Sequence, residues 1–185
     1  METFNIMGVD PGSNNVGVSI FELNNDLEIV KIHTHNIALV VDESNGIHDV
    51  VVDRLKKLAF MIRAIYSMYT PTMVAMESSF INPSRLGAVI PLTKSIHVIE
   101  SIIESVDSYA KIVTIPPGLI KKIFGVKQVG KDVVSEGLIG KSYFNKVTTE
   151  LSEHEIDAIA ITETLLEYIK TTDGMACIKY IDLGE

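Results

Sequence analysis

Three acidic side chains and one histidine occupy positions from which they could bind divalent metal ions together. Asp10 follows an apolar run at residues 4–9 and precedes a glycine-containing turn at residues 11–15. Glu77 repeats this arrangement, because it ends the short apolar segment at residues 73–76. A carboxylate at the end of a strand is costly to bury unless it is paired or bound to metal. Both residues are therefore candidate metal ligands or phosphate-handling groups, and the alternative is that each only begins a turn.

Two further candidates, His154 and Asp157, lie three residues apart and would share one face of a helix. Small and apolar residues follow them, which suits close packing on a sheet and argues against an ordinary solvated charge at Asp157. Glu155 has a structural explanation, because Ser152 three residues earlier completes a capping-box pattern with it. Glu153 is typical of the acids that the helix dipole favours in a first turn, with metal contact as the alternative.

Together these side chains predict a catalytic site for phosphodiester hydrolysis with two metal ions. Oxygen-rich ligands suit Mg²⁺ or Mn²⁺. Two such ions about 4 Å apart can activate a water molecule and stabilise the leaving oxygen of a phosphodiester. The candidate catalytic and metal-binding residues are Asp10, Glu77, His154 and Asp157.

The elements that would hold these side chains follow from the spacing of apolar residues. Residues 4–9, 16–23 and 27–38 are typical of three strands joined by short turns, hence an antiparallel meander. Later segments alternate between helical spacing and short apolar runs, with an irregularity expected near Pro91. These later elements are predicted as helices at residues 47–69, 85–106, 119–124, 131–139 and 153–170 and as strands at residues 73–76 and 110–115.

This order predicts an α/β domain. Its mixed five-stranded sheet would have three antiparallel strands followed by parallel crossovers, with flanking helices. We expect one domain over residues 1–172 and a tail over residues 173–185 that could add a strand. With 185 residues, of which 46% are hydrophobic, the chain can form a sizeable core.

Composition narrows the setting in which the protein would work. The N-terminus lacks a signal-peptide pattern, and no stretch approaches the roughly 20 apolar residues of a membrane span. Cys177 is the only cysteine, which excludes an internal disulfide or a cysteine zinc cage. We therefore expect a cytoplasmic protein.

The charge distribution bears on binding to nucleic acids. A net charge of −8 opposes DNA binding, which depends on Lys and Arg neutralising phosphates. The segment from Lys121 to Lys146, however, contains six lysines and two acidic residues, a local net charge of +4. This segment is the candidate DNA-contacting surface, and the alternative for Lys121 and Lys122 is a solvated helix face.

Three motifs, taken in order, resemble the RuvC-type Holliday-junction resolvases, a branch of the ribonuclease H-like superfamily. The last motif of that family carries two acidic positions three residues apart, and His154 stands at the first of them. A weaker match runs from Pro116-Pro117 to Lys131, and the resemblance covers approximately residues 4–170. The matching residues are Gly8-Val9-Asp10-Pro11-Gly12-Ser13 with Gly17, then Met76-Glu77-Ser78-Ser79-Phe80, and then His154-Glu155-Ile156-Asp157-Ala158-Ile159-Ala160.

The resemblance implies a ribonuclease H-like fold and an endonuclease that resolves four-way (Holliday) junctions or related branched DNA by paired nicks. It also implies a homodimer with two Mg²⁺ or Mn²⁺ ions in each active site. Phe80 matches an aromatic residue near the opened bases of the junction, with a core position as the alternative. Lys131 matches a lysine that approaches the substrate phosphates.

Two other classes of protein share some of these features. An actin-like ATP-binding protein or sugar kinase also begins with a strand, an aspartate and a glycine turn, but it needs further glycine-rich motifs. A junction-binding protein without catalysis is the second alternative. Separately, His33 and His35 would share one face of a strand, as a possible metal pair or, in preference, a solvated face.

Overall fold

The computed structural model describes residues 2–40, 47–78, 86–123 and 150–171, without the side chains of residues 47–49, 86–88 and 121. The helix predicted at residues 131–139 and the tail strand lie outside these ranges. Every other predicted element is present with similar bounds. In chain order the elements are β1 (Thr3–Asp10), β2 (Asn15–Asn24), β3 (Ile29–Ala38), α1 (Ile47–Tyr69), β4 (Met73–Glu77), α2 (Leu86–Val106), β5 (Lys111–Ile115), α3 (Pro117–Ile123) and α4 (Glu153–Thr171).

The five strands form one sheet in the order β3-β2-β1-β4-β5. The pairs β1/β2 and β2/β3 are antiparallel, whereas β1/β4 and β4/β5 are parallel. The predicted mixed sheet is therefore confirmed. Because β1, β3, β4 and β5 all run in the same direction, their C-terminal ends meet at one edge of the sheet, here called the carboxyl edge.

Helices cover both faces of the sheet. Successive side chains of β1 point to opposite faces, so they pack in two separate cores. Met7 and Val9 pack in a core with residues of α1 and α2, such as Leu58 and Ile99. Ile6 points to the opposite face and packs in a core with residues of α4. Within the described ranges, no helix is both long enough and apolar enough to cross a membrane.

The helix α2 continues through Pro91 without a break. Proline removes only its own bond to the carbonyl four residues earlier, and Pro91 lies in the second turn of the helix. Ser95 Oγ donates to the Pro91 carbonyl at 3.2 Å, so a side chain bonds to the backbone close to the proline.

Two glycines let α4 lie unusually close to the sheet. A Cβ atom on Gly8 would be 2.6 Å from the carbonyl oxygen of Ala158, and one on Gly17 would be 1.8 Å from that of His154. Real Cβ atoms do not approach so closely, so larger residues here would displace the helix. A buried hydrogen-bonded cluster of the Ser19 and Thr162 hydroxyls and the Ala158 carbonyl adds a polar anchor at this contact.

Candidate active site

Asp10 and Glu77 end neighbouring parallel strands at the carboxyl edge. The pairing of β1 with β4 runs as far as Val9 opposite Met76, and the next residue in each strand is the carboxylate. Asp10 is buried, with 8% of its surface exposed, and Glu77 is half-buried. The sheet thus places the two predicted carboxylates side by side.

His154 brings the first turn of α4 to the same edge. Its Nδ1 lies 2.7 Å from Asp10 Oδ2, and its side chain is 36% exposed. The close contact between Gly17 and the backbone of His154 sets the position of this turn. When Nδ1 carries the proton and donates to Asp10, Nε2 retains a lone pair, as in histidines that bind metal while a carboxylate orients the ring.

Asp157 follows one turn of α4 after His154 and is exposed. Burial of α4 begins only at Ala158, so a role for Asp157 other than that of a solvated charge stays a prediction. The start of α4 therefore presents Asp157 to solvent. Glu153 is exposed as well.

The predicted capping box at the start of α4 is confirmed. Glu155 Oε2 accepts hydrogen bonds from the Ser152 backbone N–H at 2.9 Å and from the Ser152 hydroxyl at 2.7 Å. Burial raises the pKa of Glu155, but hydrogen bonds from Ser152 and Thr34 and the nearby His35 outweigh it and leave the pKa below its ordinary value. Glu155 therefore joins α4 to β3 and has a structural role.

The donors at the carboxyl edge suit a hard divalent cation, since they comprise three carboxylates and an imidazole. Among the described residues, no group of three such side chains is close enough to enclose a metal ion. One Asp10 oxygen instead bonds His154. The residues present thus fit Mg²⁺ or Mn²⁺ by their chemistry, and Asp10 is the buried member of the set.

The predicted DNA-contacting residues are only partly covered by the structure. Lys122 is exposed on α3, which directly follows β5. Phe80, Lys131 and the side chain of Lys121 lie outside the described residues.

The strand face that carries His33 and His35 is half-buried, whereas the sequence favoured a solvated face. Both rings contact Tyr69 at the end of α1, with ring centroids 4.9 and 5.7 Å apart. Burial lowers the pKa of both histidines, and the nearby Lys31 adds to the effect on His33. The prediction of a shared face is right, but the interpretation as a solvated face is wrong.

The turn after Asp10 is held by a contact with α1 that local sequence patterns do not indicate. Arg54 Nη1 donates to Asn14 Oδ1 at 2.9 Å, and the Leu39 backbone N–H donates to the Asn14 carbonyl at 2.7 Å. Arg54 lies within the helix predicted at residues 47–69. Nothing in local periodicity indicates a contact between residues 40 positions apart.

Comparison with known proteins identifies the relatives of this chain. Two structures of RuvC from Thermus thermophilus are similar, one of them in complex with Holliday junction substrate. The complex has 14% identity, a TM-score of 0.71 and coverage of 91% of this chain and 97% of that chain. The other has 15% identity, a TM-score of 0.69 and coverage of 91% and 96%.

The yeast mitochondrial Holliday junction resolvase is also similar, at 12% identity and a TM-score of 0.59, with coverage of 96% of this chain and 84% of that chain. At these identities the similar structures show a shared fold. A search of curated protein sequences gave no match. The family described as Crossover junction endodeoxyribonuclease RuvC matches residues 6–164. The chain therefore belongs to the RuvC family of crossover junction endodeoxyribonucleases.

Proposed function

We propose that this protein resolves four-way or related branched DNA by paired nicks, through metal-dependent hydrolysis of phosphodiester bonds. The supporting observation is the hydrogen bond between Asp10 at the end of β1 and His154 of α4. Glu77 ends the neighbouring parallel strand. Family membership favours this activity over an actin-like kinase. The proposed nuclease domain spans residues 1–172.

The proposed metal ligands are Asp10, Glu77, His154 and Asp157, for two Mg²⁺ or Mn²⁺ ions. When bound, these ions would activate the attacking water and stabilise the leaving oxygen of the phosphodiester. Asp10 orients His154 through Nδ1, which leaves Nε2 to bind metal or to move a proton at the attacking or leaving oxygen. Because Asp157 is exposed, it is accessible to an ion shared with substrate.

The proposed substrate requires two active sites. A four-way junction has two-fold symmetry, so a C2 homodimer would present one site to each of two equivalent strands. We assign DNA contacts to Phe80, Lys121, Lys122 and Lys131. Neutralising Lys131 should weaken junction binding and lower its salt dependence by about one phosphate contact.

A panel of four-way, flap and linear DNA, incubated with Mg²⁺ or Mn²⁺, tests this function directly. The wild-type protein should nick branched DNA in a metal-dependent manner and should not bind ATP. Asp10→Asn should abolish cleavage but keep folding and junction binding, because an amide lacks the charge that binds metal. Asp26→Asn, at an exposed turn position, is the matched control and should cleave normally. Cleavage by Asp10→Asn at the wild-type rate would show that the proposed site is wrong.

A further inference from the structure

A pocket of about 290 Å³ opens next to the turn that follows Asp10. Ser13 and Asn14 of this turn form one side, Arg54 of α1 forms another, and Lys94 and Ser95 of α2 close it. The turn, α1 and α2 thus meet here on the face of the sheet opposite to α4.

The pocket carries positive charge on a strongly acidic protein. Its lining in the described part of the chain contains two cations, Arg54 and Lys94, and no acidic residue, whereas the whole chain has a net charge of −8. Lys94 is exposed and Arg54 is half-buried. The guanidinium of Arg54, which donates to Asn14, places a permanent positive charge at the pocket beside the Lys94 ammonium.

The remaining lining is apolar and includes Leu39, Leu55 and Pro91. An apolar lining combined with a few polar and cationic groups is common in ligand-binding sites. It suits a group with a charged end and an uncharged body, such as a phosphate attached to a sugar.

The pocket lies within reach of DNA that occupies the active site. Asn14 follows Asp10 by four residues, which an extended chain spans in at most about 14 Å. A duplex strand advances roughly 3.4 Å per nucleotide. Backbone phosphates within about four nucleotides of the cut are therefore the DNA groups that could reach the pocket.

We propose that this pocket binds a backbone phosphate of the cleaved DNA strand within a few nucleotides of the scissile bond. Lys94 is the phosphate-binding residue and Arg54 adds positive charge beside it. Both are separate from the lysines of residues 121–146. The proposal rests on the proposed function, because it assumes that DNA occupies the carboxyl edge.

The first test compares the salt dependence of junction binding in two variants, both in an Asp10→Asn background that prevents cleavage. Lys94→Gln removes the charge from an exposed position. Lys56→Gln is the control, since Lys56 is 73% exposed, pairs with Asp53 on α1 and lies outside this pocket. Lys94→Gln should reduce the slope of log K against log salt by about 0.9. Raising the salt from 50 to 200 mM should therefore weaken binding by Lys94→Gln ~3.5-fold less than it weakens binding by the protein with Lys94. Equal slopes in the two variants would overturn the proposal.

The second test locates the phosphate. Single methylphosphonates, which are uncharged, are placed at each of the nearest four positions on either side of the cut. At one position the methylphosphonate should weaken wild-type binding as much as Lys94→Gln does, with no further loss when the two are combined. Fully additive losses at every position would overturn the proposal.

Calorimetry with inorganic phosphate separates DNA from a small anion. Binding of free phosphate that depends on Lys94, with an unchanged DNA salt slope, would overturn the assignment to DNA.

Wild-type junction binding and cleavage are measured first. If both are absent, the proposed function and the pocket assignment fail together, whereas normal cleavage with equal salt slopes overturns only the pocket.

Discussion

The Nδ1 atom of His154 lies 2.7 Å from Oδ2 of Asp10, although 144 positions separate the two residues in the chain. This hydrogen bond joins the first turn of α4 to the end of β1 and places an imidazole where the motif of the RuvC-type family carries an acid. A neutral ligand supplies less negative charge than a carboxylate, so His154 should decide how strongly the second metal ion binds.

His154→Asp should raise the ratio of the cleavage rate in Mg²⁺ to that in Mn²⁺ by about tenfold or more. Imidazole favours the softer Mn²⁺, whereas a carboxylate suits Mg²⁺. Cleavage rates of the wild type and the variant in each metal measure the effect.

His97→Asp introduces the same change at an exposed position of α2 and should keep the wild-type metal preference. Loss of activity in both metals, with junction binding intact, would point to proton transfer by His154 rather than metal binding. If neither the rate nor the metal preference changes, His154 lies outside the site.

Gly17→Ala should destabilise the protein by about 1–3 kcal/mol, the usual cost of overpacking. The new Cβ would lie 1.8 Å from the His154 carbonyl oxygen and 3.0 Å from the Glu155 nitrogen, and backbone atoms cannot rotate away. The displaced first turn of α4 should also slow cleavage, because it carries His154. Urea unfolding and cleavage rates measure the two effects.

Gly118→Ala is the control for this prediction, because a Cβ on Gly118 meets no atom within 4 Å. In the helix α3, alanine should be neutral or stabilise by roughly 0.5–1 kcal/mol relative to glycine. Equal unfolding midpoints for Gly17→Ala and wild type would contradict the close packing of α4 on β2.

Much of the fold follows from local patterns. Apolar runs and turn residues predicted the five strands. Because β1 and β4 run in the same direction, both strands end at one edge of the sheet, with Asp10 beside Glu77. The capping box likewise depends on residues only three positions apart, Ser152 and Glu155.

Contacts between distant segments could not be predicted in this way. The Arg54–Asn14 hydrogen bond and the approach of Tyr69 to His33 depend on how α1 lies against the sheet. The exposure of Asp157 depends on the point along α4 at which packing against the sheet begins. Periodicity identifies which face of an element is apolar, but it does not give the position of that face along its neighbour.

The stability of the protein should decrease between pH 7.5 and 5.5, in part because of His35. The ring contacts Tyr69, and its Nε2 is buried with no hydrogen-bond partner in the described part of the chain. Burial lowers the pKa of His35, although Glu155 opposes the shift. The unfolded state therefore binds protons more readily, so stability is full above the ordinary value of 6.5 and is lost as the pH falls toward the lower folded value.

His35→Phe keeps an aromatic ring but cannot titrate, so it should reduce the fall in the urea midpoint over this pH range. His97→Phe, at a side chain that is 72% exposed, should leave the fall unchanged. Because the pKa of His33 is lowered by burial as well, some pH dependence should persist in His35→Phe. An unaltered profile in His35→Phe would count against burial of this imidazole.

The capping box at the start of α4 should contribute both to stability and to the site. Ser152→Ala removes the hydroxyl that bonds Glu155 and should cost about 1 kcal/mol in the free energy of unfolding. It should also slow cleavage, because fraying of the first turn loosens His154, two residues later. Ser67→Ala, at an exposed position of α1, should leave cleavage unchanged and should not destabilise the protein, because alanine has the higher helix propensity.

Glu155→Gln tests the charge within the same cap. Because the pKa of Glu155 is lowered on folding, its carboxylate stabilises the protein above the ordinary carboxyl range, and this contribution is lost as the pH falls through the folded value. The variant should therefore be less stable than wild type at pH 7, and the difference should shrink toward pH 3. Urea midpoints at the two pH values measure it. A difference that is the same at both would mean that the cap depends on hydrogen-bond geometry alone and not on the charge of Glu155.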